Sequence, residues 1–168
     1  FWIKFFISPF IKKIYWHATS KKEKREIISV FKNARVEILS DGAYVSEKNL
    51  SLKDNYLAAM GRIHPVKGYD LLIEAFPKVI SFFPNIKLKI AGLDDGDKNR
   101  LENLIIKHEI QSHVKFVGEL KDDLKASFLQ KAKCLLMPSY TESFGIVAIE
   151  AMAEGTPVIA SKNTPAPR

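Results

Sequence analysis

The chain has 168 residues, 46% of them hydrophobic and 27% charged, which is ordinary for a soluble globular protein with enough length for one domain and its core. The net charge of +7 favours an anionic partner, such as nucleic acid, nucleotide phosphates or an acidic membrane surface. A single cysteine, Cys134, excludes an internal disulfide framework and a zinc site built from cysteines.

The first fifty residues differ in pattern from the rest. The opening, FWIKFFISPFIKKIYW, is aromatic and basic, but it is too short and too charged for a membrane-spanning helix. Ser20 and Glu23 have the spacing of a capping box, which predicts a basic helix to about Asn33. The strand RVEILS and the turn SDGAY follow, and the polar, non-periodic segment 43–54 is predicted to be a linker.

From about Asn55 onward, short β-rich runs alternate with longer helical patterns. The predicted strands are NYLAAMGRI, IKLKIAG, HVKFVG, CLLMPS and PVIAS. Such alternation predicts an α/β fold, a Rossmann-like, doubly wound parallel sheet with right-handed crossovers. Pro77 is expected to kink or break the first helix of this region.

The loop GRIHPVKG, Gly61 to Gly68, joins a predicted strand to a predicted helix and contains two cations. Arg62 leaves the strand, and Lys67 lies near the helix start, where the helix dipole disfavours a cation. Two cations beside free backbone N–H groups form an anion site, and the glycines let a bulky phosphate approach the backbone. The alternative is a pair of solvated basic side chains around a turn, and the residues alone leave both interpretations open.

A second unusual loop, PSYTESFG, leads into a helix that is apolar on every side, which predicts its burial. That helix contains Glu150, and a buried carboxylate costs several kcal/mol unless something pairs with it. Capping by Ser139 or Ser143 accounts for Glu142. It does not account for Glu150, roughly 12 Å further along the helix. The partner of Glu150 is either a ligand with adjacent hydroxyls, such as a ribose, or an unidentified lysine or arginine.

Patterns of metal ligands are absent from the sequence. Asp94, Asp95 and Asp97 lie close together, but the EF-hand spacing and its distal glutamate are missing, which favours a solvated turn with acids at a helix start. The four histidines are far apart in the chain. His64 either lines a phosphate pocket or shapes the loop.

Together, GRIHPVKG, FVG and MPSYTESFGIVAIEAMAEGTPVIAS resemble retaining glycosyltransferases of the GT-B fold, the group 1 or family-four type. These enzymes typically carry Arg-x4-Lys, which Arg62 and Lys67 match, and Glu-x7-Glu, which Glu142 and Glu150 match. The two motifs occur in the expected order and in the expected strand-loop-helix contexts, over about 55–161.

The resemblance implies a domain organisation. Residues 55–168 would be an incomplete C-terminal nucleotide-sugar-binding domain, the donor half of a GT-B fold. Residues 1–42 would be a remnant of the N-terminal acceptor domain, and 43–54 the linker between them. The sequence departs from the family where Ser40-Asp41-Gly42 stands in place of the frequent Pro-Asn-Gly turn. We expect the chain to be a piece of a longer enzyme, because the family's further strand and closing helices would follow its last residue.

Site roles also follow from the resemblance. Arg62 and Lys67 would neutralise the donor diphosphate, including the charge that develops as the sugar leaves. Glu142 would hold hydroxyls of the donor sugar, and Glu150 would accept hydrogen bonds from the ribose. Arg62, Lys67 and Glu142 are therefore the predicted catalytic residues.

The remaining predicted donor-binding residues act through the backbone. The N–H groups of Ser143, Phe144 and Gly145 would face the sugar and the phosphates. The base would lie near Val117 and Gly118, and Gly61 belongs to the phosphate loop. The resemblance implies neither a cofactor nor a metal, since the basic pair and the helix N-termini would do the work of a divalent cation.

The parent enzyme is thus expected to transfer a sugar from a UDP- or GDP-type donor to a saccharide or lipid-linked acceptor with retention. This fragment would bind the donor, because catalysis also needs an acceptor held against the sugar. A cytoplasmic location is expected, with peripheral contact to an anionic membrane.

Three alternatives stay open. One is a nucleotide-sugar-binding module or subunit without catalysis of its own. Another is a related nucleotide-sugar epimerase, against which the paired motifs argue. The third is a nucleic-acid or membrane-surface binder led by the aromatic N-terminus, for which a helix exposed by its missing domain is the simpler explanation.

Overall fold

The computed structural model describes residues 10, 13–39, 42, 52–142 and 145–162. The chain divides into two compact units, residues 1–42 and 43–168. The first contains β1 (Tyr15–Ala18), α1 (Lys21–Val30) and β2 (Arg35–Ile38), with the two strands paired in parallel. Ser20 caps α1 by accepting a hydrogen bond from the backbone N–H of Glu23. Assignment of this unit to an acceptor domain stays a prediction.

The second unit alternates strands and helices along the chain. Its strands are β3 (Tyr56–Met60), β4 (Lys87–Ala91), β5 (Val114–Gly118), β6 (Cys134–Met137) and β7 (Val158–Ala160). Its helices are α2 (Tyr69–Phe82), α3 (Lys98–Lys107), α4 (Asp122–Lys131) and α5 (Ile146–Ala153), and a 3-10 turn at Pro65–Lys67 precedes α2. The β-rich runs in the sequence correspond to these five strands.

The five strands form one parallel sheet in the order β5-β4-β3-β6-β7. The chain builds outward from β3 through β4 to β5, then crosses to β6 on the other side of β3. The order therefore reverses between β3 and β6. The predicted doubly wound parallel sheet is confirmed, and loops that follow β3 and β6 are adjacent at its carboxyl edge, where open α/β sheets bind ligands.

Two apolar clusters cover opposite faces of this sheet, because successive residues of a strand point to opposite sides. Along β3, Ala58 belongs to one cluster and Ala59 to the other. The cluster with Ala59 includes side chains of α2 and α3, and that with Ala58 includes side chains of α4 and α5. Each fully buried large side chain contributes about 1.5–3 kcal/mol. The clusters hold the helix N-termini at the carboxyl edge.

Three sequence predictions about helices differ from the structure. Of the predicted kink or break at Pro77, the break is wrong, because helix α2 continues through this residue. Ile73 and Phe76, both 2% exposed or less, anchor this part of the helix in the core. Helix α1 ends at Val30, three residues before the predicted end. Helix α5 is not buried on all sides: Met152 is 46% exposed, since the described chain packs against only part of the helix.

Candidate functional site

The loop after β3 is shaped by close contacts of its glycines. Gly68 has a φ of 65°, and a Cβ there would lie 2.5 Å from the carbonyl oxygen of Pro138 in the loop after β6. At Gly61 a Cβ would lie 3.1 Å from the Tyr69 hydroxyl and 3.3 Å from Cε of Lys67. These glycines therefore let two loops and a lysine side chain pack tightly.

His64 shapes this loop. Its Nδ1 accepts a hydrogen bond from the backbone N–H of Val66 at 3.2 Å, which caps the 3-10 turn. The backbone N–H of Tyr140 donates to the carbonyl oxygen of Val66 at 2.9 Å and ties the two loops together. Of the two roles considered for His64, the structure supports the loop-shaping one.

Arg62 and Lys67 face different carboxylates. Arg62 forms a 2.6 Å ion pair with Asp95 in the loop after β4, and the two side chains are 67% and 43% exposed. Lys67 forms a 2.6 Å ion pair with Glu142 in the loop after β6, and these side chains are only 19% and 15% exposed. The second pair is the better protected from solvent screening. It brings together one residue from each predicted motif.

Two neutral hydroxyl groups, of Ser139 and Tyr69, lie near the Lys67–Glu142 pair. The Ser139 hydroxyl lies 3.4 Å from Oε2 of Glu142, and Ser139 is 3% exposed. Burial raises the pKa of Tyr69, and the charge of Glu142 raises it further. The Tyr69 hydroxyl therefore stays protonated and donates to the carbonyl oxygen of Gly61 at 3.2 Å. A small cavity of about 80 Å³ borders Lys67 and Glu142.

The loop after β6 does not have the predicted cap. Gly145, with a φ of 75°, takes the N-cap position and α5 begins at Ile146. Ser139 lies earlier in the loop, so the alternative of a capping box formed by Ser139 and Glu142 is not supported, and Glu142 forms an ion pair with Lys67. Ser143 and Phe144, predicted to bind the donor, lie outside the described residues.

Glu150 lies on α5 and pairs with a lysine of the neighbouring helix. Nζ of Lys125 is 2.6 Å from Oε1 of Glu150, and the side chains are 29% and 24% exposed. A lysine, one of the two kinds of partner that the sequence left open, therefore contacts Glu150. Oε2 of Glu150 is buried and has no hydrogen-bond partner in the described part of the chain. Both residues line a cavity of about 400 Å³, together with Asp122 and Asp123.

Val117 and Gly118, the predicted base-binding residues, lie at the end of β5, which is an edge strand. Val117 packs against the cluster that contains Ala58. The carbonyl oxygen of Gly118 accepts a hydrogen bond from the N–H of Gly92 at 2.8 Å. The backbone of Gly118 therefore already has one contact within the sheet.

The acidic loop after β4 is partly a solvated turn. Oδ1 of Asp94 accepts hydrogen bonds from the N–H groups of Gly96 and Lys98, as expected at a helix start. Asp97 is 2% exposed, so the prediction of a solvated turn is wrong there. Its burial is possible because the Arg100 guanidinium binds both carboxylate oxygens.

Among the residues that the structure describes, no group of histidine, cysteine or acidic side chains could hold a metal ion. Within the same residues, every helix is too short or too polar to cross a membrane.

Sequence reasoning did not identify Asp95 and Lys125 as part of the site. Asp95 was predicted to belong to the acidic turn, and no sequence pattern singled out Lys125. Each pairs with a predicted site residue from a different element. The only available signal was the need of Glu150 for a partner, which did not specify which cation it would be.

Comparison with known proteins agrees with this architecture. The family model of glycosyl transferases group 1 matches residues 42–168. The phosphatidyl-myo-inositol mannosyltransferase of Mycolicibacterium smegmatis is 32% identical over 164 residues, which cover 92% of this chain and 42% of the relative. The match to the corresponding protein of Mycobacterium tuberculosis covers 25% of that protein's length. The chain therefore spans between a quarter and about two fifths of the length of such relatives.

Solved structures show the same fold. Staphylococcus aureus TarM, solved with UDP, superimposes with a TM-score of 0.81 at 22% identity, over 97% of this chain and 33% of TarM. WaaG, a glycosyltransferase involved in lipopolysaccharide biosynthesis, gives a TM-score of 0.73 at 26% identity, over 88% of this chain and 44% of WaaG. These neighbours are GT-B glycosyltransferases. By its family match, its fold and its paired motifs, the chain belongs to the group 1 glycosyltransferases.

Proposed function

We propose that this chain is the nucleotide-sugar-binding part of a retaining glycosyltransferase. The parent enzyme transfers a sugar from a nucleotide-diphosphate sugar to a saccharide or lipid-linked acceptor. Lys67 and Arg62 bind the diphosphate, Glu142 binds hydroxyls of the transferred sugar and Glu150 binds the ribose. Val117 and Gly118 contact the base through their backbone, and Gly61 belongs to the loop that binds the phosphates. The proposed contacts to the sugar and phosphates also include the backbone N–H groups of Ser143, Phe144 and Gly145.

The observation that carries this proposal is the ion pair between Lys67 and Glu142. The two residues are 75 positions apart, in the loops after β3 and β6, and their charged atoms are 2.6 Å apart. These loops flank the point where the strand order reverses, the usual ligand position in an open α/β sheet. A diphosphate at Lys67 would thus place its attached sugar beside Glu142.

The second cavity supports the position of the nucleoside. Among the described residues, Oε2 of Glu150 is buried and has no hydrogen-bond partner, and Glu150 lines a cavity of about 400 Å³ on the helix that starts at the sugar site. A ribose has two adjacent hydroxyls, which can satisfy both oxygens of a carboxylate. A ribose that binds Glu150 would compete with Lys125 for Oε1 or displace it from this oxygen.

Named relatives support the reaction class. The bacterial relatives are named as a mannosyltransferase acting on phosphatidyl-myo-inositol and as D-inositol 3-phosphate glycosyltransferases. TarM was solved with UDP. We infer a UDP- or GDP-type donor and an acceptor that is a saccharide or a lipid-linked saccharide, as in lipopolysaccharide synthesis.

The chemistry of the proposed step follows from the charges of the site. Arg62 and Lys67 stabilise the charge that develops on the leaving diphosphate. The bond between the anomeric carbon and the diphosphate oxygen breaks, and the acceptor oxygen bonds to that carbon on the same face, so the configuration is retained. The leaving diphosphate takes the proton of the acceptor hydroxyl. In this proposal the two cations replace a divalent metal ion, and donor binding is independent of added Mg²⁺.

Calorimetric titration of the chain with UDP, GDP and ADP tests the proposal. We expect one diphosphate to bind, and Glu150→Ala to weaken its binding by at least tenfold, because even one hydrogen bond to a charged group contributes about 1.5–3 kcal/mol. Glu102→Ala is the matched control, because Glu102 forms an ion pair with Lys98 on the surface of α3. Absence of binding to the folded chain, or equal effects of both substitutions, would contradict the proposed donor site.

The proposed acceptor suggests a cytoplasmic enzyme with peripheral contact to anionic membrane. The net charge of +7 supports such contact. Sedimentation of the chain with vesicles containing phosphatidylglycerol, compared with phosphatidylcholine vesicles at low and high salt, would measure it.

A further inference from the structure

The three aspartates of the loop after β4 have different partners. Oδ1 of Asp94 accepts hydrogen bonds from two backbone N–H groups within the next four residues. Both carboxylate oxygens of Asp97 bind the Arg100 guanidinium, and Asp97 is 2% exposed. Asp95 reaches out of its own loop to Arg62, in the loop after β3. Asp95 is thus the aspartate of this loop that contacts a proposed phosphate-binding residue.

Backbone hydrogen bonds keep these two loops side by side. The N–H of Ile63, next to Arg62 in the chain, donates to the carbonyl oxygen of Leu93 at 2.8 Å. The N–H of Asp95 donates in turn to the carbonyl oxygen of Ile63 at 3.0 Å. The backbone therefore holds Asp95 within reach of Arg62, whether or not their side chains are in contact. A carboxylate that is tethered in this way acts at a high effective concentration.

The contact between the two side chains is open to exchange. Nη1 of Arg62 donates to Oδ2 of Asp95 at 2.6 Å, and the side chains are 67% and 43% exposed. An exposed ion pair of this kind changes an equilibrium constant by a factor of about 1.5 to 5. Asp97 and Arg100, by contrast, are joined through two nitrogens and both oxygens, which makes them harder to separate. A phosphate can therefore replace Asp95 at Arg62 with only a small loss of affinity.

We propose that Asp95 competes with the donor diphosphate for Arg62 and so lowers the affinity of this site for nucleoside diphosphates. The inference rests on the proposed function, in which Arg62 binds the diphosphate, and adds a residue that controls this binding. Asp95 does not contact the ligand in this proposal. It acts through Arg62, because a phosphate that binds the guanidinium has to take the place of the carboxylate.

The opposite effect would follow if Asp95 held Arg62 in the position that binds phosphate. Removal of the carboxylate would then release the guanidinium and weaken binding, since ordering a long side chain costs a factor of about 2 to 10 in affinity. The exposure of Arg62 argues against such a role, because a side chain that is prepared for a ligand is usually locked by packing. The two roles therefore predict changes of opposite sign when Asp95 is replaced.

The experiment measures the dissociation constants of UDP and GDP by calorimetry for the wild type, Asp95→Asn, Arg62→Ala and the double variant. Asp95→Asn keeps the size of the side chain and the backbone hydrogen bond, but removes the charge. We expect it to tighten binding of the preferred diphosphate by about two- to fivefold. In the Arg62→Ala background the same substitution should leave the dissociation constant unchanged, because the residue through which Asp95 acts is missing.

Glu102→Gln is the control for a general change of charge. It removes one negative charge from an ion pair with Lys98 on α3 and should leave the binding of both diphosphates unchanged. Asp95→Glu keeps the carboxylate and should bind the diphosphate as the wild type does. Asp95→Ala removes the acceptor altogether and should tighten binding at least as much as Asp95→Asn. Damage to the fold would instead weaken binding, so it cannot imitate the expected gain.

The possible results separate this inference from the function on which it rests. If Glu150→Ala weakens diphosphate binding but neither Asp95→Asn nor Asp95→Ala tightens it, the competition is overturned and the donor site stands. An equal gain with and without Arg62 would also overturn it, because the effect would then be one of general charge. Weaker binding by Asp95→Asn would overturn it in favour of the holding role. If no diphosphate binds the folded wild-type chain, both proposals fail.

Discussion

Gly68 lies where the loop after β3 touches the loop after β6. Its φ of 65° is left-handed, and a Cβ would lie 2.5 Å from the carbonyl oxygen of Pro138. Gly68→Ala therefore adds backbone strain and a steric conflict, which together should lower the free energy of unfolding by about 2–4 kcal/mol. Urea denaturation followed by circular dichroism measures this loss.

Gly155→Ala is the matched control for this substitution. Gly155 has a similar φ of 70°, and nothing lies within 4 Å of a Cβ there. Only the backbone strain should remain, so Gly155→Ala should lower the free energy of unfolding by about 1–2 kcal/mol. Equal losses in the two variants would show that the contact with Pro138 has no energetic weight, and that the two loops are not held together at this point.

Single residues of the site differ in how far the sequence could predict them. Arg62, Lys67, Glu142 and Glu150 stand in motifs with fixed spacing, so the family resemblance identifies them. Lys125 has no such spacing relative to Glu150, because the pair is formed between two helices. Such contacts depend on how α4 and α5 pack, which no local pattern specifies.

At the scale of elements, Pro77 lies inside a helix that continues past it. A proline in this position lacks the N–H that would bond to the carbonyl oxygen of Ile73, and its ring crowds that carbonyl group. We predict that Pro77→Ala raises the free energy of unfolding by about 1–3 kcal/mol, less than the full penalty for proline because the unfolded chain also gains freedom. Thermal and urea denaturation measure the gain.

Lys78→Ala, at the next and exposed position of α2, controls for helix propensity and should change stability by less than about 0.5 kcal/mol. If Pro77→Ala is neutral or destabilising, packing of the proline ring outweighs the missing hydrogen bond.

The elements themselves were largely predictable, because strands and helices of an α/β protein differ in length and composition. How deeply the side chains of these elements are buried was less predictable. Helix α5 has apolar residues on every side, yet Met152 is 46% exposed. Periodicity reports how apolar a helix is, whereas exposure depends on which neighbours cover it. In the same way, Asp97 was expected in water but is buried by its contact with Arg100.

At the scale of the whole molecule, the order of the strands creates the candidate site. Residues of the two motifs are 75 positions apart in the chain and become neighbours because β6 lies beside β3. The alternating pattern predicted a parallel sheet, but it did not specify the strand order. The expectation that the motifs meet came from the family resemblance, and the sheet supplies the physical reason.

The second unit as a whole should lose stability in alkaline solution because it buries tyrosine hydroxyls. Burial raises the pKa of Tyr56 to about 12, with a further contribution from Asp54, and its hydroxyl donates to the carbonyl oxygen of Phe128 at 2.6 Å. Burial also raises the pKa of Tyr69. Above pH of about 10 the unfolded chain releases these protons while the folded chain keeps them, so stability falls as the pH rises.

For Tyr56 alone this loss amounts to about 1.4 kcal/mol at pH 11, one unit above the pKa of an unfolded tyrosine. Tyr56→Phe removes the titrating group and a hydrogen bond, so we expect it to destabilise the unit by about 1–3 kcal/mol at pH 8. At pH 11 the difference from the wild type should be smaller by about 1.4 kcal/mol, because only the wild type has lost the contribution of this proton. Urea denaturation at both values of pH measures the two differences.

Tyr15→Phe, at a tyrosine that is 68% exposed, is the control: its difference in free energy of unfolding from the wild type should be the same at pH 8 and at pH 11. A cost of Tyr56→Phe that does not change with pH would mean that the buried hydroxyl is not responsible for the alkaline loss.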